Sequence, residues 1–123
     1  MKFKRLIQSE LYSGTKRNEE YFKKYEIKKS NISGNGIFVK NDIKLNENIG
    51  LGFEKIYNTN NPDRDYIRTE LGKFINHSNK PNTKLNRVKN KYFIITIRDI
   101  RKGEELTLDY NKFDWEGNRD FIE

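Results

Sequence analysis

Short stretches in which apolar and polar residues alternate recur along the chain, and this pattern predicts strands rather than helices. Residues 25–29 alternate in this way, and the β-prone residues 37–39 follow a turn-rich segment at 30–36. Residues 42–56 scatter apolar side chains among polar ones, as in a turn followed by a strand. The first half of the chain therefore predicts a series of short strands.

The second half of the chain continues the pattern. Residues 83–88 and 91–97 are separated only by Lys89 and Asn90, which predicts a β-hairpin. A turn at residues 99–103 leads to another short strand at 106–108. Many short strands with little strong helix indicate a mainly β fold class.

Residues 57–69 interrupt this pattern with asparagines, Pro62 and Asp63, and they predict a surface loop. Tyr57 and Tyr66 flank the loop. An amphipathic surface position is the simpler interpretation of both tyrosines. A role in a ligand pocket is the alternative, with Tyr66 as the candidate substrate-binding residue.

The two ends of the chain differ from its middle. Residues 1–24 predict a structural extension with a short helix that Thr15 could cap. We expect this extension to pack on a domain at residues 25–115, followed by a tail at 116–123. Nothing in the extension suggests chemistry.

Composition narrows the classes of protein that fit. At 123 residues the chain predicts one domain with a modest core. Because it has no cysteine, disulfides and thiolate zinc clusters are excluded, and His77, the single histidine, cannot anchor an ordinary zinc site alone. We therefore expect no metal site. No apolar run is long enough to span a membrane, which predicts a soluble intracellular protein.

The charge is unevenly distributed. The formal net charge is +7, which permits contact with nucleic acid or an acidic partner, although AT-rich coding explains the lysines equally well. Residues 103–123 instead carry seven acidic residues against two basic ones. The C-terminal segment is thus acidic on an otherwise basic chain.

Three polar motifs stand out from the strand pattern. Gly34 and Gly36 bracket Asn35 in the first motif, and such a pair taken alone is most often a tight turn. The second is the run from Asn76 to Asn82, with Pro81 near its end, and the third is residues 103–110, which read Gly-Glu-Glu-Leu-Thr-Leu-Asp-Tyr.

In this order and spacing the three motifs resemble the SET domain of protein lysine methyltransferases, over roughly residues 25–115. The short chain looks most like the minimal SET proteins of viruses and phages. The resemblance implies a β-clip-like SET fold with a C-terminal pseudoknot. It also implies an S-adenosyl-L-methionine-dependent protein-lysine N-methyltransferase, with a lysine-bearing protein or peptide as partner and a possible homodimer. The compartment would be the cytoplasm, or the host nucleus for a eukaryotic virus.

The implied reaction needs few catalytic groups. In-line methyl transfer to an amine depends on alignment and on exclusion of water. Free lysine has a pKa of about 10.4, so only about a thousandth is neutral near physiological pH, and a narrow aromatic channel would lower that pKa. Tyr110 matches the catalytic tyrosine of the family, where its neutral phenol would orient the amine rather than act as a base.

The resemblance also assigns binding residues. A single histidine without an evident acidic partner in the sequence is more often a structural residue. The resemblance instead assigns His77, together with Asn76, to cofactor binding rather than proton transfer. Asn79 departs from the family, which commonly has cysteine there. The implied cofactor-binding set is Gly34, Asn35, Gly36, Ile37, Asn76, His77 and Trp115. The implied substrate-binding set is Tyr66, Phe113, Asp114 and Glu116.

Two expectations concern partners. If Asp114, Glu116 and Asp120 face the incoming peptide, a basic peptide is favoured, and the alternative is that these acids pair with the protein's own lysines.

A different class of function also fits: a catalytically silent SET-fold module that binds nucleic acid or a host protein. A basic β-rich structural protein is the third alternative, and it leaves the ordered motifs as coincidence.

Overall fold

The computed structural model describes residues 23–112, and most of this range consists of short strands joined by tight turns. The strands are β1 (Tyr25–Lys29), β2 (Asn35–Val39), β3 (Asn48–Lys55), β4 (Tyr66–Arg68), β5 (Asn76–His77), β6 (Thr83–Val88), β7 (Lys91–Thr96) and β8 (Glu105–Leu108). Two short helices, α1 (Pro62–Asp65) and α2 (Glu70–Phe74), and a 3₁₀ turn at Tyr110–Lys112 complete the described part. The mainly β fold class with little helix is confirmed.

The strands form two four-stranded sheets. The first sheet has the order β1-β2-β8-β5 and the second has the order β4-β3-β7-β6. Neighbours are antiparallel except for β5 and β8, which run parallel over two residue pairs. The position of β8 between β2 and β5 brings the C-terminal motif beside the other two.

The predicted hairpin is confirmed. β6 and β7 pair from Thr83 opposite Thr96 to Val88 opposite Lys91, which leaves Lys89 and Asn90 as the two-residue loop. The local alternation of apolar and polar residues is sufficient here, because antiparallel strands joined by a short loop depend on contacts that are close in sequence.

Apolar side chains from both sheets form one buried cluster. Ile37 and Leu106, which lie opposite each other on β2 and β8, have no exposed surface. In the described part of the chain, fifteen residues contribute: Tyr25, Ile37, Val39, Ile43, Ile49, Phe53, Tyr66, Leu71, Ile75, Leu85, Tyr92, Ile94, Ile100, Leu106 and Leu108. The strands that carry the three motifs are therefore anchored by the core.

The prediction of a surface loop at residues 57–69 is wrong for its second half. Helix α1 begins after Asn61, whose side chain accepts a hydrogen bond from the Asp63 amide, and β4 follows directly. The segment folds around Asp65, which is 1% exposed and accepts hydrogen bonds from Thr59 and Asn60. An asparagine cap followed by proline is a helix-start signal that could have been recognised in the sequence.

Tyr66 is also not a surface residue. It is 5% exposed, and its ring packs at 5.8 Å from that of Tyr92. Because β4 pairs with β3, alternate residues of β4 face the core, and Tyr66 is on that face.

Helix α2 lies close to β3 and leads into the second motif. Thr69 caps the helix by accepting from the Gly72 amide while its hydroxyl donates to the Leu51 carbonyl. At Gly72 a Cβ atom would lie 2.1 Å from the Gly52 carbonyl oxygen, so only glycine permits this approach.

Some expectations fall outside the described range or stay untested. The helix predicted near Thr15 lies outside residues 23–112. The C-terminal pseudoknot stays a prediction. Within the described part of the chain, no helix has the length and apolar character needed to cross a membrane.

Candidate active site

Strand β5 is the point at which the three motifs meet. Asn76 pairs with Thr107 and His77 pairs with Leu108, so the second motif lies against the strand that carries the third. The Ser78 amide continues the ladder by donating to the Leu108 carbonyl at 3.1 Å. A two-residue strand thus aligns side chains that the sequence places about thirty positions apart.

The side-chain amide of Asn76 connects β5 to the glycine turn. Its Nδ2 atom lies 2.8 Å from Glu105 Oε2 and 3.0 Å from Ser30 Oγ, with the Ser33 and Asn35 carbonyl oxygens at 3.1 and 3.4 Å. All four partners accept hydrogen bonds, so the two N–H groups of the amide are shared among them. Asn76 therefore holds the turn and the third motif together.

Ser30 and Glu105 complete this cluster. The Ser30 hydroxyl lies 2.8 and 2.9 Å from the two Glu105 oxygens and accepts from the Ile32 amide. Since the hydroxyl has one proton, it donates to one carboxylate oxygen at a time. The carboxylate is thus fixed by a serine from the turn and an asparagine from β5.

The two glycines of the turn are needed for different reasons. Gly34 has a positive φ of 47°, a conformation in which a side chain is strained, although no atom lies near its Cβ position. At Gly36 a Cβ atom would lie 2.2 Å from Glu105 Oε2, so the bare backbone leaves room for the fixed carboxylate.

Tyr110, the last residue of the third motif, also contacts β5 and the residue before it. Its amide donates to His77 Nδ1 at 3.0 Å, and its hydroxyl donates to the Ile75 carbonyl. The residue is 36% exposed, but its hydroxyl is turned inward by this second bond. Tyr110 is therefore held at both its backbone and its phenol by residues of or next to β5.

A small cavity of about 90 Å³ lies at Tyr110. The residues that line it are Phe53, Arg68, Gly72, Lys73 and Tyr110. Burial raises the pKa of the Tyr110 phenol, and the positive charge of Arg68 offsets part of this rise. The phenol is consequently protonated at physiological pH, which agrees with the expectation that it is a poor base.

His77 has an acidic neighbour that the sequence did not reveal. Its Nδ1 atom lies 3.8 Å from Asp109 Oδ1, and its ring lies 5.3 Å from that of Tyr110. The interpretation that His77 lacks an acidic partner is therefore wrong. The two residues are 32 positions apart in the chain and become neighbours only through the parallel pairing of β5 with β8.

A larger cavity of about 220 Å³ lies beyond the end of β8. It is lined by Pro81, Thr83, Lys84, Leu85, Ile97, Leu108, Asp109 and Lys112. Among residues 23–112, none of the predicted site residues lines this cavity. It adjoins the Tyr110 cluster through Asp109, whose carboxylate lies near His77.

The structure distributes the predicted site residues unevenly. Gly34, Asn35 and Gly36 lie together with Asn76, and Tyr110 lies with His77. Ile37 has no exposed surface, so a cofactor could reach its side chain only by displacing core residues. Tyr66 is buried in the core and does not line the cavity at Tyr110. Four more predicted residues lie outside the described range: Phe113, Asp114, Trp115 and Glu116.

Sequence reasoning missed several residues of the site. Ser30 and Glu105 were not singled out, although Glu105 stands within the third motif. Arg68, which lines the cavity at Tyr110, lies in the segment that the sequence predicts as a surface loop. Asn82, whose amide bonds to the Thr107 amide and the Glu105 carbonyl, was noted only as part of the second motif. A polar residue next to a buried strand is a weak signal, because its partner is remote in sequence.

A protein-family model for the SET domain matches residues 7–111 of the chain. The chain belongs to the SET domain family. Among solved structures, this SET chain is similar to a Plasmodium falciparum protein provisionally described as a histone methyltransferase, with a TM-score of 0.58 and 26% sequence identity. The match covers 76% of this chain and 97% of that chain. No curated protein matches the chain in sequence.

The SET assignment agrees with the geometry. The three motifs from which the resemblance was drawn are the ones that converge on β5. The closer likeness to viral and phage SET proteins stays a prediction.

Proposed function

We propose that this SET chain is a protein-lysine N-methyltransferase that uses S-adenosyl-L-methionine. The observation that carries the proposal is the convergence of the glycine turn, Asn76 and Tyr110 on strand β5. Residues that only stabilise a fold have no need to bring an exposed glycine turn, an inward-facing phenol and a small cavity into one cluster. The provisional description of the Plasmodium falciparum neighbour supports the same class of activity.

The residues around the turn fit a positively charged cofactor. The side-chain oxygen of half-buried Asn76 accepts no hydrogen bond within residues 23–112, although its nitrogen is fully engaged. The Ser33 and Asn35 carbonyl oxygens accept from Asn76. A carbonyl oxygen has two lone pairs and can accept a second hydrogen bond. Acceptors of this kind suit the ammonium and sulfonium groups of S-adenosyl-L-methionine. When bound, the cofactor supplies a methyl group on its sulfonium sulfur.

Tyr110 would orient the target amine. Because its hydroxyl proton is used in the bond to the Ile75 carbonyl, the lone pairs of the phenol oxygen are left to accept from an amine N–H. The raised pKa of the phenol keeps it protonated, so it orients the amine and does not remove its proton. Positioning of this kind accounts for large rate effects without general base catalysis.

The cavity at Tyr110 would receive the end of the lysine side chain. Its volume of about 90 Å³ is small, and Phe53 and the Tyr110 ring form apolar walls. The charges of Arg68 and Lys73 beside it disfavour an ammonium ion, so the neutral amine that the reaction needs is favoured.

The proposal is tested by calorimetric titration with S-adenosyl-L-methionine and by transfer of a labelled methyl group to lysine peptides. We expect Tyr110→Phe to keep cofactor binding but to reduce transfer by about 100-fold or to change the number of methyl groups added. The matched control is Tyr57→Phe, because Tyr57 is 59% exposed and lies outside the cluster. This control should transfer at the wild-type rate.

Three outcomes would decide against parts of the proposal. If Tyr110→Phe matches the wild type in rate and product pattern, the role of Tyr110 is wrong. Absence of cofactor binding contradicts the use of S-adenosyl-L-methionine. Cofactor binding without transfer to any peptide indicates the silent SET module instead.

A further inference from the structure

The bond between Tyr110 and His77 constrains the protonation of the imidazole. The Tyr110 amide donates to Nδ1 at 3.0 Å, so Nδ1 must offer a lone pair and carry no proton. The neutral tautomer with its proton on Nε2 satisfies this requirement. A protonated imidazole would direct an N–H group at the Tyr110 N–H group, and the bond would be lost.

Asp109 offers the imidazole a second arrangement. Its Oδ1 atom lies 3.8 Å from Nδ1, which is too long for a hydrogen bond to the neutral ring. Asp109 is nearly enclosed, with 12% of its side chain exposed, and it accepts from the Asn111 amide. A proton on Nδ1 would gain a charge-assisted bond to this carboxylate after a small movement of the ring. The Tyr110 amide and the Asp109 carboxylate therefore compete for one atom.

The competition bears on the placement of the phenol. Tyr110 is held at its amide by His77 and at its hydroxyl by the Ile75 carbonyl. Release of the first bond frees the backbone from which the phenol extends. A displacement of about 1 Å at a reacting group lowers rates by up to about 100-fold.

We infer that His77 is a positioning residue that fixes Tyr110 through Nδ1. When the imidazole is protonated, Nδ1 forms its hydrogen bond with the Asp109 carboxylate instead, and the Tyr110 amide is released. The consequence for methyl transfer rests on the proposed function, whereas the link between His77 and Tyr110 does not. The charged and titratable groups in contact with the imidazole, among residues 23–112, are Asp109 and the Tyr110 phenol.

Nuclear magnetic resonance tests the link without any assay of activity. Because the chain has one histidine, every imidazole signal belongs to His77. We expect the Tyr110 amide resonance to shift with the same pH midpoint as the His77 ring protons. In His77→Asn the same amide should show no shift with that midpoint, since an amide side chain does not titrate.

The pH dependence of methyl transfer tests the consequence. His77→Ala removes the acceptor and should lower transfer at pH 8 by about 10- to 100-fold. His77→Asn offers an oxygen near the Nδ1 position and should restore part of this loss. As pH is lowered from 8, the wild type should lose more activity than His77→Asn, because only the wild type has a group at this position that can take up a proton.

The two proposals fail in different ways. If the wild type transfers no methyl group, the proposed function fails, and the resonance titration still decides the link. The inference is overturned if the Tyr110 amide does not follow the imidazole titration, or if active wild type and His77→Asn have the same pH profile. Thermal unfolding of each variant establishes that it is folded at the pH of the measurement.

Discussion

At the scale of single residues, the site depends on polar side chains that bond to one another in a confined space, so that none can be substituted without loss of a hydrogen bond or a steric clash. Glu105 is fixed by the Ser30 hydroxyl and the Asn76 amide, and Gly36 provides the space that the carboxylate occupies. Glu105, Ser30 and Asn76 each lose a partner if one of the other two is changed. Such networks are coupled, so the effects of their substitutions should not add.

The first prediction is that Gly36→Ala lowers the free energy of unfolding by about 1–3 kcal/mol. The new methyl group would lie 2.2 Å from Glu105 Oε2, and the carboxylate can move away only by giving up its bonds. Denaturation by urea measures the change. In a Glu105→Ala background the same substitution should be less destabilising, and an equal effect in both backgrounds would contradict the clash.

The second prediction concerns the charge next to Tyr110. Burial raises the pKa of the phenol and Arg68 opposes this rise, so Arg68→Gln should raise the pKa of Tyr110 further. Ring resonances assigned by comparison with Tyr110→Phe would follow the titration. An unchanged or lowered pKa in Arg68→Gln would show that the guanidinium does not act on the phenol.

At the scale of elements, β8 organises the molecule. It pairs with β2 on one side and with β5 on the other. Side chains before and within β6 also clamp it: Asn82 bonds to the Thr107 amide at 2.8 Å, and the Thr83 hydroxyl donates to the Thr107 carbonyl at 2.7 Å. The strand that ends two residues before Tyr110 is therefore held on three sides.

The third prediction is that Asn82→Ala destabilises the protein by about 1–3 kcal/mol. Asn82 is 5% exposed, and its removal leaves the Thr107 amide and the Glu105 carbonyl without these partners. The matched control is Asn86→Ala, because Asn86 is exposed on the same segment of chain. This control should change stability by no more than about 0.5 kcal/mol. Equal effects in the two variants would show that the clamp contributes little.

At the scale of the whole molecule, several carboxyl groups are held in their ionised form. A hydrogen bond from Lys24 lowers the pKa of Glu47, and one from Lys23 lowers that of Glu70. The Arg98 guanidinium lowers the pKa of Glu104 in the same way. Burial of Asp65 acts to raise its pKa, but the hydrogen bonds from Thr59 and Asn60 outweigh this effect and the pKa is lowered.

The fourth prediction follows from these directions. A carboxyl group whose pKa is lower in the folded state stabilises the fold above its unfolded pKa of about 3.9–4.3, and this contribution is lost as pH falls through the folded pKa. The free energy of unfolding should therefore decrease as pH is lowered below about 4.5. Thermal unfolding between pH 7 and pH 2.5 measures this change.

Asp65→Asn provides the control for the acid dependence. Its stability should be lower than that of the wild type at pH 7 and should depend less on pH in the acid range. A wild type that is equally stable at pH 3 and pH 7 would contradict the prediction.

Much of the fold could be predicted because its signals are local. The hairpin of β6 and β7 followed from alternation around Lys89 and Asn90. The start of α1 has a local signal in Asn61 and Pro62, whereas the order of the rest of the segment depends on the burial of Asp65, and burial is a property of the folded chain. For the same reason the sequence leaves Tyr66 between a surface position and a substrate-binding one, although it belongs to the core.

The sequence by itself determined the SET family, most of the strands and the motif residues of the candidate site. These features depend on the types and spacing of residues that are close together in the chain. Only the tertiary structure decided which residues are partners. Asn76 meets Ser30 across 46 positions, and His77 meets both Asp109 and Tyr110. These contacts arise from the pairing of β5 with β8, and hydrogen bonds between distant segments leave no periodic signal in the order of the residues.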